Sequence, residues 1–234
     1  MATRPRVART TASPMTAKDV PLKRSAADYF PDRMTLPSMR EAARGCRGCD
    51  LYKNATQVVF GEGAAKGKCV MVGEQPGDQE DRQGHPFVGP AGGLLDRALA
   101  DAGIDRNSVY ITNAVKHFKH EIAGKKRIHK SPNRAEISAC RPWLVEELRV
   151  IKPKVLVCLG VSAANSIFDK KVTLRDVRGR FWETALSPRT FVTTHPSSIL
   201  RSFDDESRRE NYALFVQELK VLAKELKQRP SHGH

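Results

Sequence analysis

The chain is constrained most by a stretch in which a short apolar run ends abruptly in a loop of glycine, proline and acidic residues. Residues 68–88 read KCVMVGEQPGDQEDRQGHPFV, so that the apolar run 69–72 is followed at once by Gly73, Pro76 and Gly77. Such a run is typical of a buried strand, and the residues after it are typical of a turn. Functional side chains often lie where a loop leaves a buried strand. This loop is therefore the first candidate for a functional site.

Three further apolar runs are predicted strands, and helical patterns separate them. The runs are residues 108–113, 155–160 and 191–194. The spacing of apolar residues and the signals for helix ends predict helices at residues 39–45, 90–103, 133–152, 162–168 and 204–227. Strands that alternate with helices indicate a parallel sheet covered on both faces. We therefore predict an α/β fold of three layers, α/β/α, around a central and mainly parallel four-stranded sheet.

Local signals make two of the helix predictions more specific. Ser38 is the predicted cap of the first helix. Asn133 and Glu136, three residues apart, predict a capping box at the start of the third. Pro142 predicts a break in that helix, or a new first turn, after Cys140.

The length and composition of the chain indicate one domain with a tail. A chain of 234 residues has room for one domain of ordinary size. Residues 1–35 are rich in Arg, Ala, Thr, Ser and Pro, which predicts a basic, disordered tail. The domain is expected at residues 36–228, and a flexible C-terminus at residues 229–234.

The charge of the chain favours an anionic partner. The formal net charge is +14, which suits a nucleic acid or a membrane surface. A solvated basic surface without a partner is the plainer alternative. No apolar run approaches the roughly 20 residues that a membrane span requires, and Met1 is not followed by an apolar signal segment. We expect a monomer in a bacterial-type cytoplasm, associated with the nucleoid, and no membrane partner.

Polar side chains stand at the exits of the predicted strands. Glu74, Asn113 and His195 each follow an apolar run. Loops that leave the carboxyl ends of parallel strands gather at one edge of the sheet, so we expect these side chains in one crevice. Residues 116–132 form a long and strongly basic segment without a convincing period. A segment of this kind predicts a loop that is either functional or disordered.

The five cysteines indicate metal or cluster ligation more than a disulfide framework, because their number is odd. Cys46 and Cys49 form a C-x-x-C pair, which on its own also fits a redox motif or a zinc knuckle. Cys140 and Cys158 complete a set of four thiols that suits zinc or a [4Fe-4S] cluster. Cys69 is a rival for the fourth position. Cys140 and Cys158 can equally be small buried hydrophobic residues.

Several motifs together resemble a known family. They are GEQPG (73–77), HPFVGPAGGLLD (85–96), TNAVK (112–116), ACRPWL and IKPKVLVCLG (139–160), and HPSSILR (195–201). Their residues and their order are similar to those of the iron-sulfur uracil-DNA glycosylases. Gln75 and the segment KKRIH (125–129) resemble the UdgX branch, whose members bind uracil-DNA and become covalently joined to it. Lys126 stands where that branch usually has arginine, which keeps the charge and loses the planar fork.

The resemblance implies a fold, a cofactor and a partner. The fold would be that of the uracil-DNA glycosylase superfamily. The cofactor would be a [4Fe-4S] cluster on Cys46, Cys49, Cys140 and Cys158. The partner would be uracil-containing DNA, either single-stranded or with the uracil flipped out of the duplex.

The resemblance also implies roles for residues in the crevice. Phe87 would stack on uracil, and Asn113 would hydrogen-bond its Watson-Crick edge, with Gln75 in the same uracil-binding group. His195 would donate to the uracil O2 as negative charge develops there. Glu74 would stabilise the positive charge on the sugar.

A second group of implied roles concerns the nucleophile and the DNA backbone. His129 would attack C1′ in place of water. Asp78 or Asp81 would hydrogen-bond this histidine and keep its nucleophilic nitrogen unprotonated. The remaining expected contacts bring the loop onto DNA or hold phosphates: Lys125, Lys126 and Arg127 for the loop, and Ser197, Ser198 and Arg201 for the phosphates.

Three functions from different classes remain open on the sequence. The first is a uracil-DNA glycosylase that cleaves the N-glycosidic bond once and stays attached through His129. The second is a conventional glycosylase with multiple turnover in base-excision repair, in which the basic segment only adds affinity. The third is a non-catalytic module that binds nucleic acid or nucleotide in the same crevice.

Overall fold

A six-stranded sheet forms the centre of the fold. The computed structural model describes residues 24–66, 68–168 and 170–228. Within them the strands, in chain order, are β1 (Glu62–Gly63), β2 (Cys69–Gly73), β3 (Val109–Asn113), β4 (His120–Ala123), β5 (Lys126–His129), β6 (Val155–Leu159), β7 (Phe181–Thr184) and β8 (Ser187–Thr193). The order across the sheet is β1-β3-β2-β6-β8-β7, and β4 and β5 form a separate hairpin.

The four middle strands of the sheet contain the four predicted apolar runs. β3, β2, β6 and β8 pair in parallel. The sequence does not predict the edge strands β1 and β7, which pair antiparallel with β3 and β8. The α/β class and the mainly parallel sheet are confirmed, and the number of strands is six instead of four.

Helices cover both faces of this sheet. In chain order they are α1 (Leu36–Ala43), α2 (Asp78–Gln83), α3 (Pro90–Asp101), α4 (Arg134–Ile151), α5 (Val161–Ile167), α6 (Leu174–Val177), α7 (Pro196–Leu200) and α8 (Asp205–Lys227). α3 and α8 bury Leu95 and Phe215 on one face. α4 and α5 bury Trp143 and Ala164 on the other. A fully buried side chain of the larger apolar types contributes about 1.5–3 kcal/mol, so both layers stabilise the sheet. No helix in the described part of the chain is long and apolar enough to cross a membrane.

The packed domain begins earlier than predicted. Residues Ala26–Tyr29 form a short 3₁₀ helix, and Ala26 is fully buried. The Phe30 ring lies 5.0 Å from the Trp143 ring of α4. The boundary at residue 36 is therefore wrong for residues 24–35, which the apolar side chains at Phe30 and Met34 tie to the core. The rest of the predicted tail, residues 1–23, and the predicted C-terminus, residues 229–234, lie outside the described residues.

Two of the predicted helix signals are corrected and one is confirmed. Thr35, and not Ser38, caps α1, and the Ser38 hydroxyl accepts from the Thr35 amide in return. Asn133 and Glu136 form the predicted capping box, with distances of 2.9 and 2.7 Å. α4 continues through Pro142 without a break. The buried side chains on either side of the proline, Cys140 and Trp143, anchor both halves of the helix in one core.

The basic segment that predicted an aperiodic loop contains the hairpin β4–β5. His120 faces His129 at its base, and Ala123 faces Lys126 at its tip. Gly124 supplies the positive φ of 61° that the two-residue turn requires. Most residues of both strands are exposed, so no apolar alternation marks them in the sequence.

Candidate active site

A cavity of about 630 Å³ opens at the carboxyl ends of the parallel strands. It joins the exits of β2, β3 and β8, as predicted, and the hairpin β4–β5 supplies one wall. The predicted residues that line it are Glu74, Gln75, Phe87, Asn113, His129, His195, Ser197, Ser198 and Arg201. The predicted crevice residues therefore come together, although their chemical roles differ in part from those expected.

Phe87 and Asn113 meet over Gly73 at the end of β2. A Cβ atom on Gly73 would overlap Asn113 Oδ1 and lie 2.8 Å from Phe87 Cζ. Only glycine allows both side chains to approach the backbone this closely. The two groups form an aromatic surface beside an amide, which suits a flat polar ring.

Phe87 adopts a backbone conformation that is uncommon for a bulky residue. Its φ is 57°, in the left-handed region where a residue with a side chain is strained. Gly92 makes this possible, because a Cβ there would overlap the Phe87 carbonyl oxygen. The Phe87 ring centroid lies 5.9 Å from that of His195. The strained turn thus holds the aromatic ring beside the histidine.

Two buried acceptors at the cavity have no hydrogen-bond partner within the described residues. They are Glu74 Oε1 and Asn113 Oδ1, and both residues line the cavity. An unpaired buried acceptor costs about 1–3 kcal/mol. Such groups persist where a ligand with suitably placed donors completes them.

The surroundings of His195 define which ring nitrogen carries its proton. The backbone N–H of Ser197 donates to His195 Nδ1 at 3.1 Å, and Ser197 Oγ lies 2.8 Å from the same atom. A neutral ring that accepts at Nδ1 carries its proton on Nε2. Burial, followed by the charges of Arg201 and His129, lowers the pKa of His195 to about 4. His195 is therefore a neutral donor at neutral pH.

His129 is the last residue of β5 and faces the cavity from the hairpin. Its ring lies 6.0 Å from that of Phe118. Burial against its neighbours lowers the pKa of His129, the Glu74 carboxylate opposes this change, and the positive charge of Arg201 adds to it. The balance leaves a neutral imidazole with a free lone pair, as a nucleophile requires.

Gln75 holds the base of the hairpin, where the sequence predicted a contact with uracil. Its amide nitrogen donates to the carbonyl oxygens of Lys119 and Lys130, at 3.2 and 3.0 Å. Its oxygen accepts from the Lys119 N–H at 3.0 Å. Both N–H groups are used in these contacts, so the structure does not support a uracil-binding role for this side chain.

Asp78 and Asp81 contact Arg127, where the sequence predicted a contact with His129. The guanidinium donates to the carboxylates of both residues, with Nη1 2.6 Å from Asp81 Oδ2. It also donates to Thr56 Oγ1 at 3.0 Å. Neither carboxylate hydrogen-bonds His129 among the residues that the structure describes. The aspartates therefore fix the hairpin, and the sequence missed this because it did not reveal β5.

The remaining predicted DNA contacts are placed around the cavity. Lys125 and Lys126 are exposed at the hairpin tip. Ser198 Oγ donates to the His195 carbonyl oxygen at 2.7 Å. Arg201 is exposed at the cavity and lowers the pKa of both nearby histidines. Lys125, Lys126 and Arg201 are therefore exposed cations on the hairpin and at the cavity.

Three cysteines lie together on the face of the sheet that α4 covers. Trp143 Nε1 donates to Cys46 Sγ at 3.4 Å, and the Lys116 N–H donates to Cys140 Sγ at 3.3 Å. Burial raises the pKa of Cys140 to about 12, Lys116 opposes this change, and Cys49 and Cys46 add to it. Burial, opposed by a Leu51 backbone contact and reinforced by Cys46, also raises the pKa of Cys49.

The other two cysteines are not part of this group. Cys69 packs with Met71 on the opposite face of the sheet, which removes it as a rival ligand. Cys158 lies on the α4 face, but burial alone raises its pKa, and no other thiol contributes. Across residues 24–66, 68–168 and 170–228, no three His, Cys, Asp or Glu side chains are grouped around a single metal position.

The sequence missed one buried residue that directly follows the Lys116 contact with Cys140. His117 is buried and follows Lys116, whose N–H contacts Cys140. Its ring makes no hydrogen bond within the described residues, and burial lowers its pKa to about 4. A buried neutral imidazole is a suitable ligand for a metal or cluster. The signal in the sequence is its position directly after TNAVK.

Comparison with known proteins identifies relatives of this arrangement. The model of the Uracil DNA glycosylase superfamily matches residues 60–220. A Type-4 uracil-DNA glycosylase from Thermotoga maritima is 39% identical over 170 residues, which cover 72% of this chain and 85% of the relative. A Type-4 uracil-DNA glycosylase from Pyrobaculum aerophilum is 34% identical over 175 residues, with coverage of 72% and 86%. One from Archaeoglobus fulgidus is 38% identical over 162 residues, with coverage of 66% and 78%.

The matched segment includes the central sheet and the cavity at its carboxyl edge. It contains β2, β3, β6 and β8, together with the strand exits at Glu74, Asn113 and His195. The fold, the site and the relatives therefore agree, and the chain belongs to the uracil-DNA glycosylase superfamily.

Proposed function

We propose that the protein excises uracil from DNA by cleaving the bond between C1′ of the sugar and N1 of the base. The observation that carries this proposal is the meeting, in one cavity, of the unpaired acceptors of Glu74 and Asn113 with the neutral donor of His195. The similarity to proteins named Type-4 uracil-DNA glycosylases supports it.

Recognition of uracil follows from the pair formed by Phe87 and Asn113. The aromatic ring stacks on the base. Asn113 Oδ1 accepts from uracil N3–H, and its amide nitrogen donates to O4. Cytosine has an acceptor at N3 and a donor at C4, so the same amide opposes it. The base reaches this cavity only from single-stranded DNA or after flipping out of a duplex.

Cleavage of the C1′–N1 bond leaves its electron pair on uracil and positive charge on the sugar. His195 Nε2–H donates to the uracil O2, where negative charge develops, because Ser197 keeps the proton off Nδ1. The Glu74 carboxylate stabilises the sugar cation through its charge. These groups are fixed before the reaction, so little reorganisation is needed during bond cleavage.

We further propose that His129 completes the reaction in the manner of the UdgX branch. The lone pair of its neutral imidazole forms a bond to C1′, and the ring releases the proton on its other nitrogen while the uracil anion takes up a proton. Support comes from the two contacts that hold the hairpin, through Gln75 and through Arg127. A nucleophile held in place gains a large advantage over water. The protein would then stay attached to its product after one turnover.

A conventional glycosylase is the second candidate for this last step. The relatives named Type-4 uracil-DNA glycosylases are the observation that favours it. In that case water attacks C1′, and the hairpin contributes only to DNA binding. The two candidates share recognition and bond cleavage, and they differ only in the fate of the sugar.

We also propose that a [4Fe-4S] cluster is bound by the three cysteines on the face of the sheet that α4 covers. Cys46, Cys49 and Cys140 fit it, because their thiols lie together and two of them accept N–H hydrogen bonds, as cluster sulfurs commonly do. We assign the fourth position to His117, next to the Cys140 contact, in place of the predicted Cys158. The bound cluster would join α4 to the segment around Cys46 and stabilise the fold.

An excision assay with matched oligonucleotides tests the proposed activity. The wild-type protein should release the base from a uracil-containing single strand and leave the same strand with cytosine or thymine intact. Asn113→Ala should slow uracil release by about 100-fold or more, since one well-placed donor group in an active site is worth about 10²–10³ in rate. Binding of the uracil strand without any release of base would contradict the proposal.

A further inference from the structure

A buried ion pair lies directly behind the uracil-reading residue. Lys116 Nζ is 2.5 Å from Glu147 Oε2, and the two side chains are 1% and 0% exposed. A buried pair of this kind is costly unless its charges are fully hydrogen-bonded. The hydrogen bonds of this ion pair therefore indicate the role that it has behind the cavity.

The carboxylate of Glu147 satisfies several groups of the surrounding core. Tyr110 Oη donates to Oε1 at 2.8 Å, and the Gly61 N–H donates to it at 3.2 Å. Thr112 Oγ1 lies 3.1 Å from both oxygens. Glu147 thus links α4 to β3 at a fixed position.

The ammonium of Lys116 reaches back to the end of β3. Nζ donates to the Asn113 carbonyl oxygen at 2.9 Å and to Thr112 Oγ1 at 2.6 Å. β3 ends at Asn113, and beyond it Ala114 donates to the Gly73 carbonyl oxygen. The Asn113 carbonyl therefore has a charged donor as its partner, at the residue where the strand turns away from the cavity.

The backbone of Lys116 is fixed on the other side as well. Its N–H donates to Cys140 Sγ at 3.3 Å, and its carbonyl oxygen accepts from the Val59 N–H at 2.8 Å. Lys116 thus connects the thiol of Cys140, the Glu147 side chain of α4 and the backbone carbonyl of Asn113. Among the residues that the structure describes, Asn113 Oδ1 has no hydrogen-bond partner.

We infer that Lys116, together with Glu147, is the positioning residue that orients Asn113 for the recognition of uracil. This rests on the proposed function of Asn113. The ammonium holds the Asn113 peptide unit, and this sets the direction in which the free amide projects over Phe87. A shift of about 1 Å at a reacting or binding group can cost about 100-fold in rate, so the effect is measurable.

Three variants separate positioning from stability. Lys116→Met removes the ammonium and leaves the Glu147 charge uncompensated, and we expect it to lower both thermal stability and uracil excision. Glu147→Gln keeps an acceptor for Tyr110 and for Thr112. The double variant Lys116→Met/Glu147→Gln removes both charges, so we expect it to recover stability relative to Lys116→Met and to remain about 10- to 100-fold slow in excision. All assays are run well below the unfolding midpoint of each variant.

The readouts are the single-turnover excision rate at saturating protein, the protein concentration at half saturation, and inhibition by free uracil. We expect a slower maximal rate and weaker inhibition by uracil, with the affinity for a uracil-free strand unchanged. Lys154→Met is the matched control, since Lys154 Nζ also donates to two backbone carbonyl oxygens, those of Glu225 and Gln228, each at 2.6 Å. Lys154 directly precedes β6, at the end of that strand that lies away from the cavity. It should leave all three readouts at wild-type values.

The outcome also distinguishes this inference from the proposed function. Wild-type excision and wild-type inhibition by uracil in the double variant would overturn the role of Lys116, provided that Asn113→Ala is defective. If Asn113→Ala also behaves as wild type, the uracil-reading role itself fails. If the double variant does not fold, inhibition by free uracil is measured in Lys116→Met at a temperature below its unfolding midpoint. Weaker inhibition than in the wild type supports the role of Lys116, and unchanged inhibition overturns it.

Discussion

Two histidines at the cavity are neutral for the same reason and act in opposite ways. Burial lowers the pKa of both rings. Ser197 directs the proton of His195 towards the cavity as a donor, whereas His129 offers a lone pair. The two histidines have different roles because different residues surround them, although both carry the same imidazole ring.

The pH dependence of adduct formation tests the state of His129. Its pKa lies below the ordinary value of about 6.5, so the ring loses its lone pair only when the pH falls through that lowered value. The rate at limiting protein should therefore be constant from about pH 8.5 to about 6.5 and should fall below it. Arg201→Gln removes a charge that depresses this pKa, so the fall should begin at a higher pH. A wild-type rate that already falls above pH 7 would contradict a neutral His129 with a lowered pKa.

Ligand variants test which residues hold the cluster. His117→Ala should lose iron and visible absorption, as Cys140→Ala should, because His117 directly follows Lys116, whose N–H donates to Cys140 Sγ. Cys158→Ala should keep near wild-type iron, because Cys158 lies in the apolar core of β6, and burial alone raises the pKa of its thiol. The measurement is iron and acid-labile sulfide per chain, with circular dichroism as the check on folding. Loss of iron in Cys158→Ala with intact folding would restore the original four-cysteine assignment.

The cavity residues that follow buried strands can be predicted from the sequence. Glu74, Asn113 and His195 follow apolar runs, and parallel strands bring their exits together. For Gln75, Asp78 and Asp81 the sequence predicts contacts with uracil or His129, whereas the structure shows contacts with the hairpin. These contacts could not be predicted, because the strands of the hairpin are mostly exposed and show no alternation of apolar residues in the sequence.

At the scale of elements, the hairpin β4–β5 decides where His129 lies. Gln75 holds its base through Lys119 and Lys130, and Arg127 ties β5 to α2. Two independent anchors restrict a short hairpin that has little buried apolar surface of its own. The element is therefore organised by polar contacts.

Loosening one anchor should separate base release from trapping. Gln75→Ala removes three hydrogen bonds of about 1 kcal/mol each, so the adduct should form about 10- to 100-fold more slowly, at about 1.4 kcal/mol per factor of ten, while uracil is still released. Lys126→Ala, at the exposed tip of the same hairpin, is the control, and at saturating protein it should trap at close to the wild-type rate. Single-turnover assays that follow uracil and adduct in the same samples make the comparison. Equal adduct rates in Gln75→Ala and wild type would remove the anchoring role.

The elements that the sequence missed share a physical cause. β1 has two residues and β7 lies at an edge, so neither forms a continuous apolar run. α2 begins at Asp78 and is rich in charged residues, of which Glu80 accepts from the backbone N–H groups of Gly77 and Gly89. Pro142 lies inside α4 because tertiary packing outweighs a local preference. The buried strands and the long helices were predicted because burial imposes a pattern on their residues.

At the scale of the molecule, the charge of +14 supports binding to DNA. The logarithm of the binding constant for a uracil-containing single strand should fall linearly with the logarithm of the salt concentration. The slope should be about −0.7 for each phosphate that the protein contacts. Replacing Lys125 and Lys126 by alanine should reduce that slope by about 1 to 2. Lys220→Ala and Lys224→Ala, on α8, are the charge-matched control. An unchanged slope in the hairpin variant would show that its tip does not meet the backbone.

The central claim is that the cavity excises uracil and that His129 then holds the product. Protein mixed with a uracil-containing single strand and run on a denaturing gel tests this most directly. The result expected is one DNA strand per protein chain in a species stable to heat and detergent, absent for a cytosine strand and absent for His129→Ala. Free abasic product in molar excess over wild-type protein, without that species, would contradict the trapping by His129 and establish a conventional glycosylase.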